Sequence, residues 1–121
     1  MTFRDELAGS RSETGPSPLR EIDAITAREW HDRGRCRLID VREESEYRAE
    51  RISGACLAPL SRLEEALPSL RPGELAVFLC RSGARTRIHA ARLAGCGFAE
   101  AYILAGGLMA WKAEGFPTEC G

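Results

Sequence analysis

The segment ELAVFLCRSGARTR, residues 74–87, is the clearest indication of the fold class in this sequence. Its first half is the most strand-like run of the chain, and it ends at Cys80. The pattern then predicts a helix that starts near Arg85 or Thr86, so the residues between form a tight loop. A strand that passes through a short loop into a helix is the building unit of parallel α/β sheets.

Apolar runs and helical segments alternate outward from this stretch in both directions. Strands are predicted at residues 20–24, 36–41, 54–60, 74–80 and 100–106, and helices at 26–34, 43–51, 61–70, 85–97 and 107–115. Short apolar runs flanked by helices are typical of strands covered on both faces, so the sequence predicts an α/β domain with a parallel sheet. In the helix after the loop, Ile88, Ala91 and Leu93 are expected to face the core.

Length and charge narrow the class of protein. The chain has 121 residues, which fits one domain, and its formal net charge is −1. This charge balance gives no sign of a nucleic-acid partner. No apolar run reaches the length of about 18 residues that a membrane span needs, and the N-terminus has no apolar signal segment. We therefore expect a cytoplasmic protein that binds neither nucleic acid nor membrane.

The first residues differ in composition from the rest of the chain. Serine, glycine and proline are frequent in residues 10–18, and this part of the chain offers little to bury. We expect residues 1–18 to form a flexible N-terminal tail and the ordered domain to occupy residues 19–121.

The cysteines favour neither a metal site nor a disulfide framework. Five of them stand at positions 36, 56, 80, 96 and 120, no two in C-x-x-C spacing, and only two histidines accompany them. Zinc sites need closer clusters of ligands, and disulfides are rare in cytosolic chains. We expect Cys36, Cys56 and Cys96 to be small buried residues and Cys120 to be exposed. No metal or other cofactor is predicted.

Cys80 differs from the other cysteines in its predicted place. Ligands of open α/β sheets bind beyond the carboxyl ends of the strands, and Cys80 stands at such an end. The helix N-terminus that follows carries partial positive charge, and a curled loop aims backbone N–H groups inward. Gly83 allows the positive φ that such a curl needs. Both effects favour the thiolate form of Cys80, which is the reactive nucleophile.

The side chains of the loop suit an anionic substrate. The candidate binding residues are Arg81, Ser82, Gly83, Ala84, Arg85 and Thr86, with Arg87 just beyond them. Arginines attract an anion, and the serine and threonine hydroxyls can donate hydrogen bonds. The alternative is that Cys80 is a core residue and that the arginines are solvated surface. His89 lies at least a turn into the helix and His31 is far from the loop in sequence, so neither is assigned a role.

Three segments carry a family resemblance. They are LIDVREESEYRAERISGA at 38–55, VFLCRSGARTR at 77–87 and YILAGGLMAWKAEGFP at 102–117. Together they resemble the rhodanese family of sulfurtransferases over about residues 19–118. The resemblance implies a five-stranded parallel sheet with helices on both faces. It also implies that Cys80 is the nucleophile that carries sulfur as a persulfide and that residues 81–85 cradle the substrate.

Other positions match or depart from the family pattern. Asp40 and Arg42 resemble the acid and the arginine that brace the site in the family, although a surface ion pair worth under about 1 kcal/mol is the alternative. Family members commonly have histidine where this chain has Arg51. The glycines at 106 and 107 are expected to serve a turn and close packing.

The resemblance implies an enzyme that moves sulfane sulfur from thiosulfate, or a similar small anionic donor, to an acceptor. The acceptor is cyanide, a small thiol or a thioredoxin-like protein. An alternative is a sulfur-relay or interaction module that a partner protein's persulfide charges. Related phosphatases use a longer Cys-x5-Arg loop, whereas here Thr86 stands at that arginine position and Arg85 comes one residue earlier. The shorter loop favours sulfur transfer over phosphoryl transfer.

Overall fold

The computed structural model describes residues 19–121, so the flexible tail predicted at 1–18 lies outside the described residues. The strands are β1 Arg20–Ile22, β2 Cys36–Asp40, β3 Glu50–Arg51, β4 Cys56–Leu57, β5 Leu75–Leu79, β6 Ala101–Leu104 and β7 Glu119–Cys120. The helices are α1 Ala24–Asp32, α2 Glu44–Ala49, α3 Leu63–Ala66, α4 Ala84–Ile88, α5 Ala90–Ala94 and α6 Gly107–Ala113, with a 3-10 turn at Leu60–Arg62. Within residues 19–121, no helix is both long and apolar enough to span a membrane.

Five of the strands form one parallel sheet in the order β1-β6-β5-β2-β4. β5 is the central strand, and all five of its residues are buried. Its register places Leu79 beside Asp40 of β2 and Val77 beside Tyr102 of β6. β3 and β7 pair separately as a short antiparallel ribbon. The predicted five-stranded parallel sheet is confirmed.

Helices cover both faces of this sheet. Successive residues of β5 point to opposite faces, and they alternate between two hydrophobic clusters. Val77 and Leu79 pack in the cluster that contains residues of α1 and α6. Ala76 and Phe78 pack in the cluster that contains residues of α3 and α5, and Cys80 joins that cluster where the strand ends. The prediction of helices on both faces is therefore confirmed.

The helical region after the Cys80 loop consists of two short helices, α4 and α5, rather than one. Leu93 is buried as predicted, but Ala91 is exposed and Ile88 is 76% exposed. Those two expectations are wrong because they assume one continuous helix, whereas the chain breaks at His89 between α4 and α5. The buried residues are Thr86 in α4 and, three positions apart on one face of α5, Ala90 and Leu93.

The cysteines outside the loop are free thiols in different surroundings. Cys36 is buried as predicted, and burial raises the pKa of its thiol to about 11. Cys56 and Cys96 are only half-buried, and Cys120 is exposed as predicted. Among residues 19–121, no group of three or more His, Cys, Asp or Glu side chains is placed to hold a metal ion.

Candidate active site

Cys80 lies directly after β5, where the chain leaves the sheet and curls over the thiol. The residue is 1% exposed. The Gly83 N–H donates a hydrogen bond to Cys80 Sγ over 3.1 Å, and Thr86 Oγ1 lies 3.8 Å from the same sulfur. Backbone and hydroxyl groups of residues 80–86 therefore surround the sulfur, and we call this segment the cup.

Gly83 gives this cup its curl. Its φ is +95°, a left-handed value that side chains rarely adopt, and a Cβ there would lie 3.2 Å from the backbone nitrogen of Gly106. The Gly83 carbonyl accepts a hydrogen bond from Thr86 Oγ1 over 3.0 Å, which ties the loop to α4. The positive φ predicted at Gly83 is confirmed, and a side chain there would crowd the backbone of Gly106.

Two opposing effects act on the pKa of the Cys80 thiol. Burial raises this pKa, because a charged sulfur in the interior loses its hydration. Hydrogen bonds from the backbone N–H groups of Thr86, Gly83 and Arg85 lower it, and so does the Thr86 hydroxyl when its one proton turns from the Gly83 carbonyl to the sulfur. The hydrogen bonds together outweigh burial, so the pKa of Cys80 is lower than that of an ordinary thiol and the thiolate is favoured.

The N-terminus of α6 supports the cup from the other side. The Leu108 N–H donates to the carbonyl oxygen of Cys80, and the Met109 N–H donates to that of Arg81, each over 2.9 Å. A Cβ on Gly107 would overlap the Cys80 carbonyl oxygen and lie 2.8 Å from that of Arg81. The close packing predicted for the paired glycines is confirmed, and it holds the first two residues of the loop in place.

The three arginines predicted around Cys80 have different surroundings. Arg81 is exposed and borders a cavity of about 350 Å³. Arg85 is half-buried and donates two hydrogen bonds, of 2.7 and 2.9 Å, to Glu46 of α2. Arg87 turns toward β1, where its Nε donates to Glu21 over 2.8 Å. Of the three, Arg81 alone has no carboxylate partner among the residues that the structure describes.

The remaining loop residues lie on the outer side of the cup. Ser82 and Ala84 are both exposed, and the Ala84 N–H points to the Ser82 hydroxyl over 3.4 Å. Together with Arg81 they form the exposed rim of the cup.

Asp40 and Arg42 form a buried ion pair at the end of β2, next to β5 in the sheet. Asp40 is fully buried and Arg42 is 3% exposed. Arg42 Nη2 donates to Asp40 Oδ2 over 2.8 Å, and Arg42 Nε donates to Oδ1 over 3.0 Å. Arg42 Nη2 also donates to the Glu50 carbonyl over 2.6 Å. The alternative of a surface ion pair is wrong, and Arg42 borders the same cavity as Arg81.

Glu46 is a residue of this site that the sequence analysis does not single out. The Arg85 guanidinium lowers the pKa of Glu46 to about 2, so the carboxylate is charged at neutral pH. The Glu43 N–H also donates to Glu46 Oε1 over 3.0 Å. The three-residue spacing from Glu43 is a helix-capping signal, but the contact with Arg85 spans 39 positions of the chain and depends on the fold.

Two residues discussed from the sequence, His31 and Arg51, bond to residues outside the cup. The His31 ring nitrogen Nε2 is hydrogen-bonded to the Ser53 carbonyl at 2.9 Å. Arg51, which stands where the family commonly has histidine, pairs across the β3–β7 ribbon with Glu119 at 3.4 Å. Neither of these contacts involves a residue of the cup, and both stabilise local structure.

Comparison with known proteins relates the chain to characterised families. The family model described as Rhodanese-like domain matches residues 23–114. Over 90 residues the chain is 38% identical to the probable adenylyltransferase/sulfurtransferase MoeZ of Mycobacterium tuberculosis. That match covers 72% of this chain and 23% of the relative, so the chain spans less than a quarter of the length of this larger protein.

Solved structures share the fold. Thiosulfate sulfurtransferase from Pseudomonas aeruginosa matches with a TM-score of 0.75 and 31% identity, covering 88% of this chain and 20% of that chain. A rhodanese-related protein from Thermoplasma volcanium matches with a TM-score of 0.71 and 26% identity, covering 84% of this chain and 98% of that chain. By sequence and by fold, the chain belongs to the rhodanese-like domain family, which has sulfurtransferases among its members.

Proposed function

We propose that the protein is a sulfurtransferase that moves sulfane sulfur from thiosulfate, or a similar donor, to a thiol or to cyanide through a persulfide on Cys80. The observation that carries the proposal is the cup, in which the Gly83 N–H lies 3.1 Å from Cys80 Sγ. The thiolate is the form of cysteine that attacks sulfur. The N–H groups that stabilise this thiolate also suit the terminal sulfur anion of a persulfide.

In the first half-reaction, the Cys80 thiolate attacks the outer sulfur of thiosulfate. A bond forms between the two sulfurs, the S–S bond of thiosulfate breaks, and sulfite leaves with the electron pair of that bond. The outer sulfur remains on Cys80 as a persulfide anion. The exposed Arg81 attracts the donor, and the hydrogen bonds that lower the pKa of Cys80 favour the attacking thiolate.

In the second half-reaction, the acceptor attacks the outer sulfur of the persulfide. Its bond to the acceptor forms, the S–S bond to Cys80 breaks, and Cys80 leaves as the thiolate with which the cycle began. Because its pKa is lowered, Cys80 is a better leaving group for this step than an ordinary thiol. A thiol acceptor becomes a persulfide and cyanide becomes thiocyanate, so the cycle needs no metal, oxidant or other cofactor.

We propose two partners and a compartment for this cycle. The donor is a small sulfur anion, and the acceptor is a small thiol or a thioredoxin-like protein. A cytoplasmic location suits the chemistry, because the reducing cytoplasm keeps thiols free and all five cysteines of the chain are unpaired.

The test is intact mass after incubation with thiosulfate, for the wild type beside Cys80→Ser. We expect a gain of one sulfur, about 32 Da, in the wild type alone, and its loss on adding cyanide. Thiocyanate formation should disappear in the same variant. An adduct on Cys80→Ser, or full activity of that variant, rules out Cys80 as the sulfur carrier.

A second candidate is a relay module that receives sulfur from a partner protein's persulfide. The salt bridge of Arg85 with Glu46 favours it, because that bridge cancels one of the charges that would hold free thiosulfate. The match covers 23% of the probable adenylyltransferase/sulfurtransferase MoeZ of Mycobacterium tuberculosis. In that relative the matching segment is therefore part of a larger protein, which fits the relay idea. No adduct with thiosulfate, but a cyanide-sensitive adduct with a protein persulfide, identifies the relay.

A further inference from the structure

We infer that Glu46 sets the charge specificity of the site, so that the cup favours sulfur donors with one negative charge over the thiosulfate dianion. The favoured class comprises persulfides and organic thiosulfonates. This inference rests on the proposed function and names the substrate class of the same site. Arg85 connects Glu46 to the cup, because its side chain contacts Glu46 and its backbone N–H contributes to the cup.

Arg85 serves Cys80 with its backbone and Glu46 with its side chain. Its backbone N–H is among the groups that lower the pKa of Cys80. Its two guanidinium nitrogens each bond a different carboxylate oxygen of Glu46, at 2.7 and 2.9 Å. A donor that needs the Arg85 guanidinium must first break this two-bond pair.

Glu46 is itself held in place from a second direction. The Glu43 N–H donates to Glu46 Oε1 over 3.0 Å. The Glu43 side chain in turn accepts a hydrogen bond from Ser61 Oγ over 2.6 Å, which links the start of α2 to the segment after β4. Swinging Glu46 away from Arg85 therefore also disturbs the start of its own helix.

The charges around the cup cancel in pairs. Arg85 is balanced by Glu46, Arg42 by Asp40 and Arg87 by Glu21. In the neighbouring cavity, Lys112 is balanced by Glu50 over 2.8 Å.

Among the residues that the structure describes, Arg81 is the one cation of the cup and cavity that no carboxylate neutralises. A single positive charge matches a monoanion, whereas the second charge of a dianion finds no free cation among the described residues of the site, because Glu46 neutralises Arg85. Glu46 therefore discriminates against the more highly charged donor.

The main experiment measures KM for thiosulfate and for methanethiosulfonate, a monoanionic donor with the same terminal sulfur, in the wild type and in Glu46→Gln. The amide keeps the shape of Glu46 and removes its charge. We expect the KM of thiosulfate to fall about five-fold and that of methanethiosulfonate to fall about half as much on a logarithmic scale, because the two donors differ by one charge.

Glu44→Gln is the matched control. Glu44 lies on the same helix, pairs with Arg48 away from Arg85, and loses the same charge in the variant. We expect it to leave the KM ratio of the two donors unchanged. The inference is wrong if Glu46→Gln leaves this ratio unchanged, or if Glu44→Gln moves it equally.

A second measurement tests the inference without sulfur transfer. Iodoacetate and iodoacetamide are nearly equal in size and differ by one charge, so the ratio of their alkylation rates at Cys80 reports the local potential. Peptide mass analysis separates Cys80 from the other cysteines. We expect the iodoacetate-to-iodoacetamide ratio to rise about two-fold in Glu46→Gln and to stay unchanged in Glu44→Gln.

The two measurements separate this inference from the proposed function. A shifted alkylation ratio with no donor able to charge wild-type Cys80 supports the electrostatic role of Glu46 and overturns the proposed transferase. An unchanged iodoacetate-to-iodoacetamide ratio in Glu46→Gln overturns the inference even if thiosulfate charges Cys80 normally.

Discussion

β2 and β5 end side by side at the same level of the sheet, with Asp40 next to Leu79. After β2, a full negative charge is buried and is balanced by the side chain of Arg42 at 2.8 Å. After β5, the sulfur of Cys80 is buried and is stabilised by backbone N–H groups, among them that of Gly83 at 3.1 Å. At the end of β2 a buried negative charge is therefore stabilised by an opposite charge, whereas at the end of β5 it is stabilised by the conformation of the backbone.

This difference fits the tasks of the two positions. The Asp40–Arg42 pair is permanent, so a side chain can neutralise it at a fixed geometry. In the proposed cycle the charge at Cys80 moves from its own sulfur to the outer sulfur of the persulfide and back again. Backbone dipoles suit such a changing charge because they stabilise an anion without forming a salt bridge that the substrate must break.

Removing a charge from the β2 end should have the largest effect on stability. In Asp40→Asn the Arg42 guanidinium stays buried without a counter-charge, and we expect a loss of about 3–5 kcal/mol in the free energy of unfolding. Denaturant unfolding monitored by circular dichroism measures it. Adding Arg42→Met to Asp40→Asn removes the orphaned charge and should recover part of the loss. A double variant as unstable as the sum of the single variants contradicts this explanation.

Adding a methyl group to Gly107 of α6, which packs against the loop after β5, should have the next largest effect. In Gly107→Ala the new Cβ overlaps the Cys80 carbonyl, and the residue keeps a φ of +57°. We expect a loss of about 2–3 kcal/mol, of which about 1 kcal/mol is backbone strain. Gly97→Ala is the control, because Gly97 has a φ of +91° and nothing within 4 Å of its Cβ position. Equal losses in both variants would show that contact with the loop contributes nothing.

The comparison also shows what could be predicted from the sequence. The site of Cys80 follows from local order along the chain: an apolar strand, a glycine that permits a positive φ, and a helix start. These signals are adjacent in sequence, so the cup and the sheet beneath it were predictable. The role of the paired glycines under the loop was predictable too, because few residues tolerate such contact.

The contacts between distant charges were not predictable. Arg85 and Glu46 are 39 positions apart, and nothing in either segment specifies which of the many arginines and acids will meet. The burial of Asp40 and Arg42 depends on the segments that cover the end of β2, so their spacing alone fits a surface pair equally well. The partners of the loop side chains could therefore be identified only from the fold, whereas the role of the loop backbone could be predicted from the sequence.

A smaller effect is expected from the hydroxyl that lines the cup. In Thr86→Val the hydrogen bond from Thr86 Oγ1 to the Gly83 carbonyl, 3.0 Å long, is lost, together with the hydroxyl 3.8 Å from Cys80 Sγ. The pKa of Cys80 should rise, because a group that lowers it is gone. We expect slower alkylation of Cys80 at neutral pH and a pH profile displaced to higher pH. Thr86→Ser should keep the wild-type pH profile. If the profile of Thr86→Val coincides with that of the wild type, the hydroxyl does not lower the pKa of Cys80.

The smallest effect concerns the half-exposed pair of Arg85 and Glu46, which contrasts with the buried pair at β2. The pKa of Glu46 is lowered in the folded protein to about 2, so the unfolded chain binds this proton more readily than the folded one. The pair therefore adds stability above the carboxyl pKa of the unfolded chain, and this contribution is lost as the pH falls toward about 2.

Because about a third of each side chain is exposed, solvent screening limits this contribution to about 1 kcal/mol or less. The measurement is the difference in unfolding free energy between the wild type and Glu46→Gln, followed from pH 7 downward in low and high salt. We expect the difference to shrink toward acid pH and in high salt, because a half-exposed pair is screened. The Asp40→Asn difference at pH 7 should barely respond to salt, since its charges are buried. If salt weakens both differences equally, burial does not distinguish the two pairs.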